Sequence, residues 1–339
     1  MAAMTRSRAA TVAVLGDGGW GTTLAIHLHR GGHHVRWWGA FPEYVVVLKR
    51  RRENVKFLPG IRLPKTLSIT ADLSEAVASA RVVVLAIPSQ YLRAVLQRLD
   101  RTGASKQAFV SVAKGIEIRS LKRMSQVIHE ELGSVKLAVL SGPNISTEIA
   151  QGHPASSVIA SHDHALAVSL QQVFMSDRFR IYTSTDVTGV ELGGALKNPI
   201  AIAAGVGDGL GLGANAKAAL IARGVVEMAR LGVAMGARAS TFWGLSGLGD
   251  LITTCLGGRN HWLGEQLSHG RSLKAALASR PVVIEGVDTT KAAVRLGRRY
   301  HVELPIIEQV NAILFHGKDP RNALRALMIR AQKAESLSA

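Results

Sequence analysis

The chain has 339 residues, 47% hydrophobic and 19% charged, a length and balance that allow two domains with real cores. No apolar run is long and uncharged enough to span a bilayer, and Met1 to Ala10 carries basic residues without an apolar segment or cleavage site, so neither a membrane span nor a signal peptide is expected. Cys255 is the one cysteine, which excludes an intrachain disulfide and fits a reducing, cytoplasmic setting, and the formal charge of +17 brings nucleic acid and anionic membrane into question as partners. The Lys and Arg residues are scattered, however. The tightest run is Lys49-Arg50-Arg51-Arg52, and no zinc-ligand spacing or helix-turn-helix signature accompanies it. A solvated surface that attracts anionic metabolites is expected, without nucleic acid; peripheral membrane contact stays open.

In chain order, Val12 to Leu15 is expected as a strand, Trp20 to Arg30 as a helix, His34 to Trp38 as a strand and Pro42 to Arg52 as a helix. Leu67 to Thr70, Arg81 to Ile87, Ala108 to Val112 and Lys136 to Leu140 are further strands, with helical stretches between most of them. The near-continuous apolar runs Val82 to Ile87 and Leu137 to Leu140 suit strands buried on both faces of a parallel sheet. Such alternation predicts an α/β, doubly wound Rossmann-type domain, with Ala155 to Ala160 and Arg178 to Thr183 as last strands at one edge.

From about Asp186 the pattern changes. Apolar residues recur at helical spacing, as in Leu220, Ile221, Val225, Met228 and Leu231, and Gly232, Gly236, Gly258, Gly264 and Gly270 read as helix ends. The division expected is a dinucleotide-binding domain over residues 9–187 and an all-helical substrate-binding and catalytic domain over residues 188–331, with a polar tail that frays after Ala331. Gly205 to Gly213 is glycine-rich but lacks Gly-Lys-Ser/Thr, and reads as a flexible helix connection. The pairs His27/His29 and His162/His164 have no third ligand pattern, so no metal is expected.

Gly16-Asp17-Gly18-Gly19-Trp20-Gly21 matches G-x-G-x-x-G after a strand and at the opening of a helix, the context that a dinucleotide site requires. Gly16 permits the tight turn, Gly18 lets the backbone approach a pyrophosphate, and Gly21 lets the helix pack on the strand. A carboxylate near the end of the second strand would hold the ribose 2′-hydroxyl of NAD. Here the segment reads Arg36-Trp37-Trp38-Gly39-Ala40-Phe41-Pro42-Glu43, with no acid at the strand end. Arg36 or Arg50 to Arg52 could meet a 2′-phosphate, so NADPH or NADH is expected as cofactor, with a slight lean to NADPH.

Hydride transfer to a ketone needs a proton donor for the developing alkoxide. Lys197 opens the helical region, and burial or neighbouring positive charge could tune it toward working pH. Lys114 could be that neighbour or could bind substrate, and Asp250 could orient Lys197. Arg259 offers a planar fork for phosphate, and Asn260 and Thr254 offer uncharged hydrogen bonds.

Taken jointly, the segments resemble the soluble NAD(P)-dependent glycerol-3-phosphate dehydrogenase family, from about Val12 to Leu327. The motifs are Trp20-Gly21-Thr22 in the fingerprint, Lys114-Gly115-Ile116-Glu117, Ser141-Gly142-Pro143-Asn144 and Glu191 through Asn198. Asn215-Ala216-Lys217 with Arg223-Gly224, Gly247 through Asp250, Arg259-Asn260 and Glu285-Gly286-Val287 complete the set. The resemblance implies Lys197 as general acid/base, and Lys114, Asn198, Asp250, Thr254, Gly258, Arg259 and Asn260 at the substrate, with further contacts at Gly142 and Asn144. It places Gly19, Trp20, Lys114, Ser146, Arg259, Val283 and Glu285 at the cofactor. It further implies reduction of dihydroxyacetone phosphate at C2 to sn-glycerol 3-phosphate, a precursor for phospholipid synthesis in bacteria, and a homodimer.

Some residues depart from the pattern. Gly258 stands where bacterial members usually carry serine, in a loop two residues shorter that resembles the eukaryotic cytosolic branch, which tends to use NADH. Ala40 stands where NADPH-dependent members often have a basic residue, and Ile145-Ser146 replaces the commoner Phe-Ala. Two other readings compete: a related dehydrogenase of a hydroxy acid or sugar derivative, against which the Asp250 to Asn260 segment argues, and a non-catalytic dinucleotide sensor or membrane-associated regulator, against which the Lys197, Asp250 and Arg259 set argues.

Overall fold

The computed structural model describes residues 9–280 and 282–331, so the first eight residues and the expected fraying tail lie outside it. Among the described residues there are ten strands, β1 (Thr11–Leu15), β2 (His34–Trp38), β3 (Glu53–Asn54), β4 (Leu58–Arg62), β5 (Ser68–Thr70), β6 (Val82–Leu85), β7 (Ala108–Ser111), β8 (Lys136–Ser141), β9 (Ala155–Ala160) and β10 (Phe179–Ser184). Eight of them form one sheet in the order β10-β9-β8-β7-β6-β1-β2-β5. The order steps outward from β1 in both directions, which defines a doubly wound sheet, with β1 flanked by β2 and β6 in parallel register.

The strand residues show why. In β1, Val12 and Val14 join one apolar cluster while Ala13 and Leu15 join another, so the two faces of the strand feed two cores. Val82 and Val84 of β6 follow the first cluster, and Val83 and Leu85 the second. A strand buried on both faces needs continuous apolar sequence, as these segments have.

The edge differs from a uniformly parallel expectation. β9 runs antiparallel to β8, and β10 then runs parallel to β9. The return from β8 passes through the short helix Ser146–Gln151, whereas β9 and β10 are joined across the eleven-residue helix His164–Phe174. A short return favours antiparallel pairing, and a crossover helix favours parallel. The small antiparallel pair β3–β4 has no counterpart among the expected strands, since two residues opposite a Pro-Gly-containing segment give no usable alternation.

The described residues form two compact units, one of residues 9–113 and 124–187, the other of residues 114–123 and the described residues from 188 to 331. Residues 114–123 therefore belong to the helical unit, which a division into two contiguous stretches does not contain. Ile116 and Leu121 are buried in the helical core beside Leu196, Met228 and Phe242, and this apolar anchoring explains the excursion. No described helix is long and apolar enough to cross a membrane.

The helical unit is organised around the helix Val187–Gly209, whose Val190, Leu192, Leu196, Ile200, Ala201 and Ile202 are fully buried. A helix apolar on all sides is an interior helix. Gly205 to Gly209 continue this helix and are not a flexible connection. Glycine serves packing between this helix and helix Arg259–Ser268: a Cβ on Gly205 would stand 1.9 Å from the carbonyl oxygen of His261, and one on Gly264 would stand 2.1 Å from that of Ile202. Gly232 and Gly264 are likewise inside helices, unlike the helix ends that the sequence suggested, and a Cβ on Gly232 would meet the Phe242 ring at 2.0 Å. Gly205→Ala should lower stability by about 1–3 kcal/mol through overpacking. A thermal melt checks this, and an unchanged midpoint would contradict the close approach.

Candidate functional site

In the first unit, β1 ends at Leu15 and the chain turns at Gly16, which holds φ at +121°. A Cβ there would lie 2.2 Å from the Ala86 carbonyl oxygen, so the turn accepts only glycine without movement. A Cβ on Gly21 would lie 2.1 Å from the Gly16 oxygen, and this contact sets how closely helix Gly19–Arg30 follows the strand. Nothing stands within 4 Å of the corresponding position on Gly18. The helix begins with no side-chain cap and no acid in its first turn. Its first N–H groups and dipole end therefore suit a phosphate group lying over Gly18. This donor set fits the pyrophosphate of a dinucleotide.

Ser146 lies beside this turn. Its backbone oxygen accepts from the Thr23 hydroxyl at 2.9 Å, and its side chain is 3.7 Å from where a Gly19 Cβ would be. The indole Nε1 of Trp20 is buried without a partner among the described residues, and its ring packs edge-on to Phe179. Gly142 and Asn144 also belong to the first unit, just after β8. Asn144 Nδ2 donates to the Ser157 hydroxyl at 2.6 Å, and a Cβ on Gly142 would lie 2.9 Å from Ser157 Cα.

The second unit assembles the charged residues. Lys197 and Asn198 sit on helix Val187–Gly209 just before Pro199, which removes one backbone donor from the helix interior. Asp250 opens helix Asp250–Cys255 directly after the π-helical turn Leu245–Gly249. This turn packs closely on the Lys197 helix: a Cβ on Gly193 would lie 2.6 Å from the Ser246 oxygen. The Asp250 carboxylate then receives two lysines, Lys197 Nζ on Oδ1 at 2.7 Å and Lys114 Nζ on Oδ2 at 2.6 Å. Asp250 is 2% exposed and Lys197 6%, so this is a buried ion triad with one anion for two cations.

Thr254, one turn after Asp250, donates its hydroxyl to the Asp250 backbone oxygen at 2.7 Å and accepts from Lys197 Nζ. An ammonium has three donors. Asp250 and Thr254 take two of those on Lys197, which leaves the third for a ligand. Burial, and then the nearby Lys197 charge, lower the Lys114 ammonium to about 8, against the opposing pull of Asp250.

A second chain of hydrogen bonds braces the triad. Asn198 Nδ2 donates to the Lys114 carbonyl at 3.0 Å, Asn260 Nδ2 donates to Asn198 Oδ1 at 2.8 Å, and Gly286 N donates to Asn260 Oδ1 at 3.0 Å. Gly258 precedes helix Arg259–Ser268 with φ +99°, and the exposed Arg259 donates to the Val283 carbonyl at 2.8 Å, two residues before Glu285 opens the next helix. Lys114, Lys197, Asn198, Asp250, Thr254, Gly258, Arg259, Asn260, Val283 and Glu285 thus share the second unit. Gly16, Gly18, Gly19, Trp20, Gly21, Gly142, Asn144 and Ser146 share the first.

Several contributors escaped the sequence reading. Arg123 is paired with Glu191, and Arg295 donates to the Ile118 oxygen at 2.6 Å, so the middle and the end of the 114–123 excursion are tied to the helical unit. Asp208 receives Lys217 and His261, each at 2.6 Å, which gives the Asn215-Ala216-Lys217 motif a bracing partner. Opposite charges nine residues apart across a helix connection were the only available signal. Cys255 is buried and its thiol is pushed up to about 12, consistent with packing and not reactivity. Among the described residues no group of three metal-binding side chains occurs.

Comparison with known proteins places these features. The family model for the NAD-dependent glycerol-3-phosphate dehydrogenase N-terminus matches residues 11–167, and that for the C-terminus matches residues 186–325. The glycerol-3-phosphate dehydrogenase [NAD(P)+] of Fusobacterium nucleatum is 46% identical over 96% of this chain and 98% of its own. The crystal structure of glycerol-3-phosphate dehydrogenase from Coxiella burnetii superposes with a TM-score of 0.90 at 35% identity, covering 95% of this chain and 99% of that one. The Saccharomyces cerevisiae glycerol-3-phosphate dehydrogenase structure gives 0.80 at 30% identity, covering 94% and 99%. With both halves matched and relatives this similar over nearly their whole length, the chain belongs to the NAD-dependent glycerol-3-phosphate dehydrogenase family and is an oxidoreductase that uses NAD or NADP.

Proposed function

We propose that the protein reduces dihydroxyacetone phosphate to sn-glycerol 3-phosphate, reversibly, with Lys197 as the proton donor. The observation that carries this reading is the buried triad in which Lys197 and Lys114 share Asp250. A nicotinamide nucleotide held at the Gly16 to Gly21 turn would supply the hydride for C2. Lys197 gives the remaining donor of its Nζ to the C2 oxygen, where negative charge develops, and transfers a proton to it. In the reverse direction the same nitrogen takes the proton back. Asp250 and Thr254 hold that nitrogen in place, so little reorganisation accompanies the transfer.

Lys114 and Arg259 supply positive charge for the substrate phosphate, Arg259 through its planar fork and Lys114 as a compact ammonium. Asn198, Asn260 and Gly258 shape the surrounding pocket of the helical unit. The Gly16 to Gly21 turn with Trp20 and Ser146 takes the nucleotide. In this reading the product feeds phospholipid synthesis, the protein works as a cytoplasmic homodimer, and the +17 charge draws anionic metabolites and touches membranes at most peripherally.

The test is the initial rate of NADH and of NADPH oxidation with dihydroxyacetone phosphate, beside a panel of 2-oxo acids. Fast oxidation confined to the phosphorylated ketone supports the reading. Turnover of the oxo acids alone, or of nothing, would sink it.

Lys114 adds a pH signature. Its charge is present below about 8 and lost above, so kcat/KM should fall as pH rises through that value. In Lys114→Arg the charge persists, and this alkaline limb should move up by more than about one pH unit. An unmoved limb would assign it to another group.

A further inference from the structure

The end of β2 lacks the acid that usually receives an adenosine ribose, yet a carboxylate stands at that place. It comes from Asp17, the residue after Gly16 in the first turn. The backbone fixes the two segments together: Gly16 N donates to the Trp38 oxygen at 3.0 Å, and Leu15 pairs with Trp38 in register. A Cβ built on Gly39, the first residue after β2, would lie 3.1 Å from Asp17 Oδ2 and 3.5 Å from Asp17 Cβ. One Asp17 oxygen therefore occupies the space that an acidic side chain grown from position 39 would reach. Gly39 leaves room for it and for Val45, whose Cγ2 would stand 2.8 Å from that Cβ.

Asp17 is 8% exposed, and its Oδ2 meets no hydrogen-bond donor among the described residues. A buried carboxylate oxygen without a donor is costly, and a ligand hydroxyl would relieve that cost. The turn that carries it is rigid. The Asp17 backbone oxygen accepts from Asn54 Nδ2 at 2.7 Å, the same nitrogen donates to the Thr22 hydroxyl at 2.7 Å, and Tyr44 donates to Asn54 Oδ1 at 2.7 Å. Burial pushes the Asp17 carboxyl up, while the Lys56 charge draws it down. The basic Arg36 of β2 is engaged elsewhere, with the Glu75 and Ala78 carbonyls at 3.1 and 2.5 Å. Ala40 offers no cation at all.

We propose that Asp17 sets the nucleotide preference, its carboxylate accepting the adenosine 2′-hydroxyl of NADH and opposing the 2′-phosphate of NADPH. The proposal rests on the reading of the Gly16 to Gly21 turn as the nucleotide site, and it reverses the lean toward NADPH that the missing acid after β2 suggests. Lys56, whose Nζ lies 5.0 Å from the Phe57 ring centroid, is the cation that would serve a 2′-phosphate if the proposal were wrong.

The experiment is a fluorescence titration of the full chain with NADH and with NADPH, without substrate, for the wild type, Asp17→Asn and Ala40→Arg. The wild type should bind NADH at least about tenfold more tightly, the scale of one hydrogen bond to a charged group. Asp17→Asn should bring the two dissociation constants within about threefold, by weakening NADH and relieving NADPH. Ala40→Arg, with Asp17 intact, should tighten NADPH by about tenfold and serves if the first variant does not fold. Equal or tighter NADPH binding by the wild type, or an affinity ratio unmoved by the substitutions, would overturn the proposal. Failure to bind either nucleotide would instead overturn the nucleotide site itself and this assignment with it.

Discussion

In the Lys197→Ala protein, kcat for dihydroxyacetone phosphate reduction is expected to fall by about 10²–10⁴, the usual contribution of a positioned acid or base. The dissociation constant for nucleotide should stay within about twofold, because the residues that form the Gly16 to Gly21 turn belong to the other compact unit. The size of the loss follows from the hydrogen bonds. Asp250 and Thr254 hold the Lys197 nitrogen at a fixed point, so water entering the variant would be neither as acidic nor as well placed. Lys114 remains beside Asp250 in this variant and retains its share of the phosphate interaction, so KM should change far less than kcat. Steady-state rates together with a binding titration separate the two effects. A kcat reduced less than about tenfold would remove Lys197 from the chemical step.

The parts of this arrangement that the sequence reveals are those whose causes are local. β1 reads as a strand because Val12–Leu15 is apolar on both faces, and the turn after it reads as a nucleotide site because backbone geometry needs Gly16 and Gly21 and an approaching phosphate needs the open space at Gly18. Lys197, Asp250 and Arg259 stand out only through resemblance; as lone residues each would pass for a solvated side chain. Three features depend on contacts between distant segments and were hidden. The excursion Lys114–Arg123 joins the helical unit because Ile116 and Leu121 find their apolar partners there. Gly232 and Gly264 look like helix ends, yet they sit where Phe242 and the Ile202 carbonyl press against a helix. Asp17 lies inside the fingerprint, where attention goes to the glycines; its approach to Gly39 appears only once β1 and β2 are paired. In the same way, the reversal at β9 follows from the short return after β8, which strand propensity does not encode.

Asp250→Ala is expected to cost about 3–5 kcal/mol of folding stability near neutral pH, the range for breaking a buried ion pair from one side. The triad holds one carboxylate shared by two lysines, so the variant removes from Lys114 and Lys197 the acceptor that they have in common. The cost should depend on pH with a definite sign. An unfolded lysine keeps its proton to about 10.4, whereas the folded Lys114 gives it up near 8 even with Asp250 in place. Without Asp250 that folded value must fall further, because the largest force raising it is gone. Between the folded and the unfolded value the unfolded chain holds more protons, and stability rises with pH there. The deficit of Asp250→Ala relative to wild type should therefore be greatest near about pH 6 and shrink as pH rises to about 8, above which the wild-type Lys114 is neutral as well and the deficit levels off. Asp250→Asn, which keeps an acceptor for Lys197 but removes the charge, should fall between the two proteins. Denaturant melts at several pH values measure this directly; a deficit that stays constant with pH would mean that packing, and not the balance of one carboxylate against two lysines, holds this part of the helical unit together.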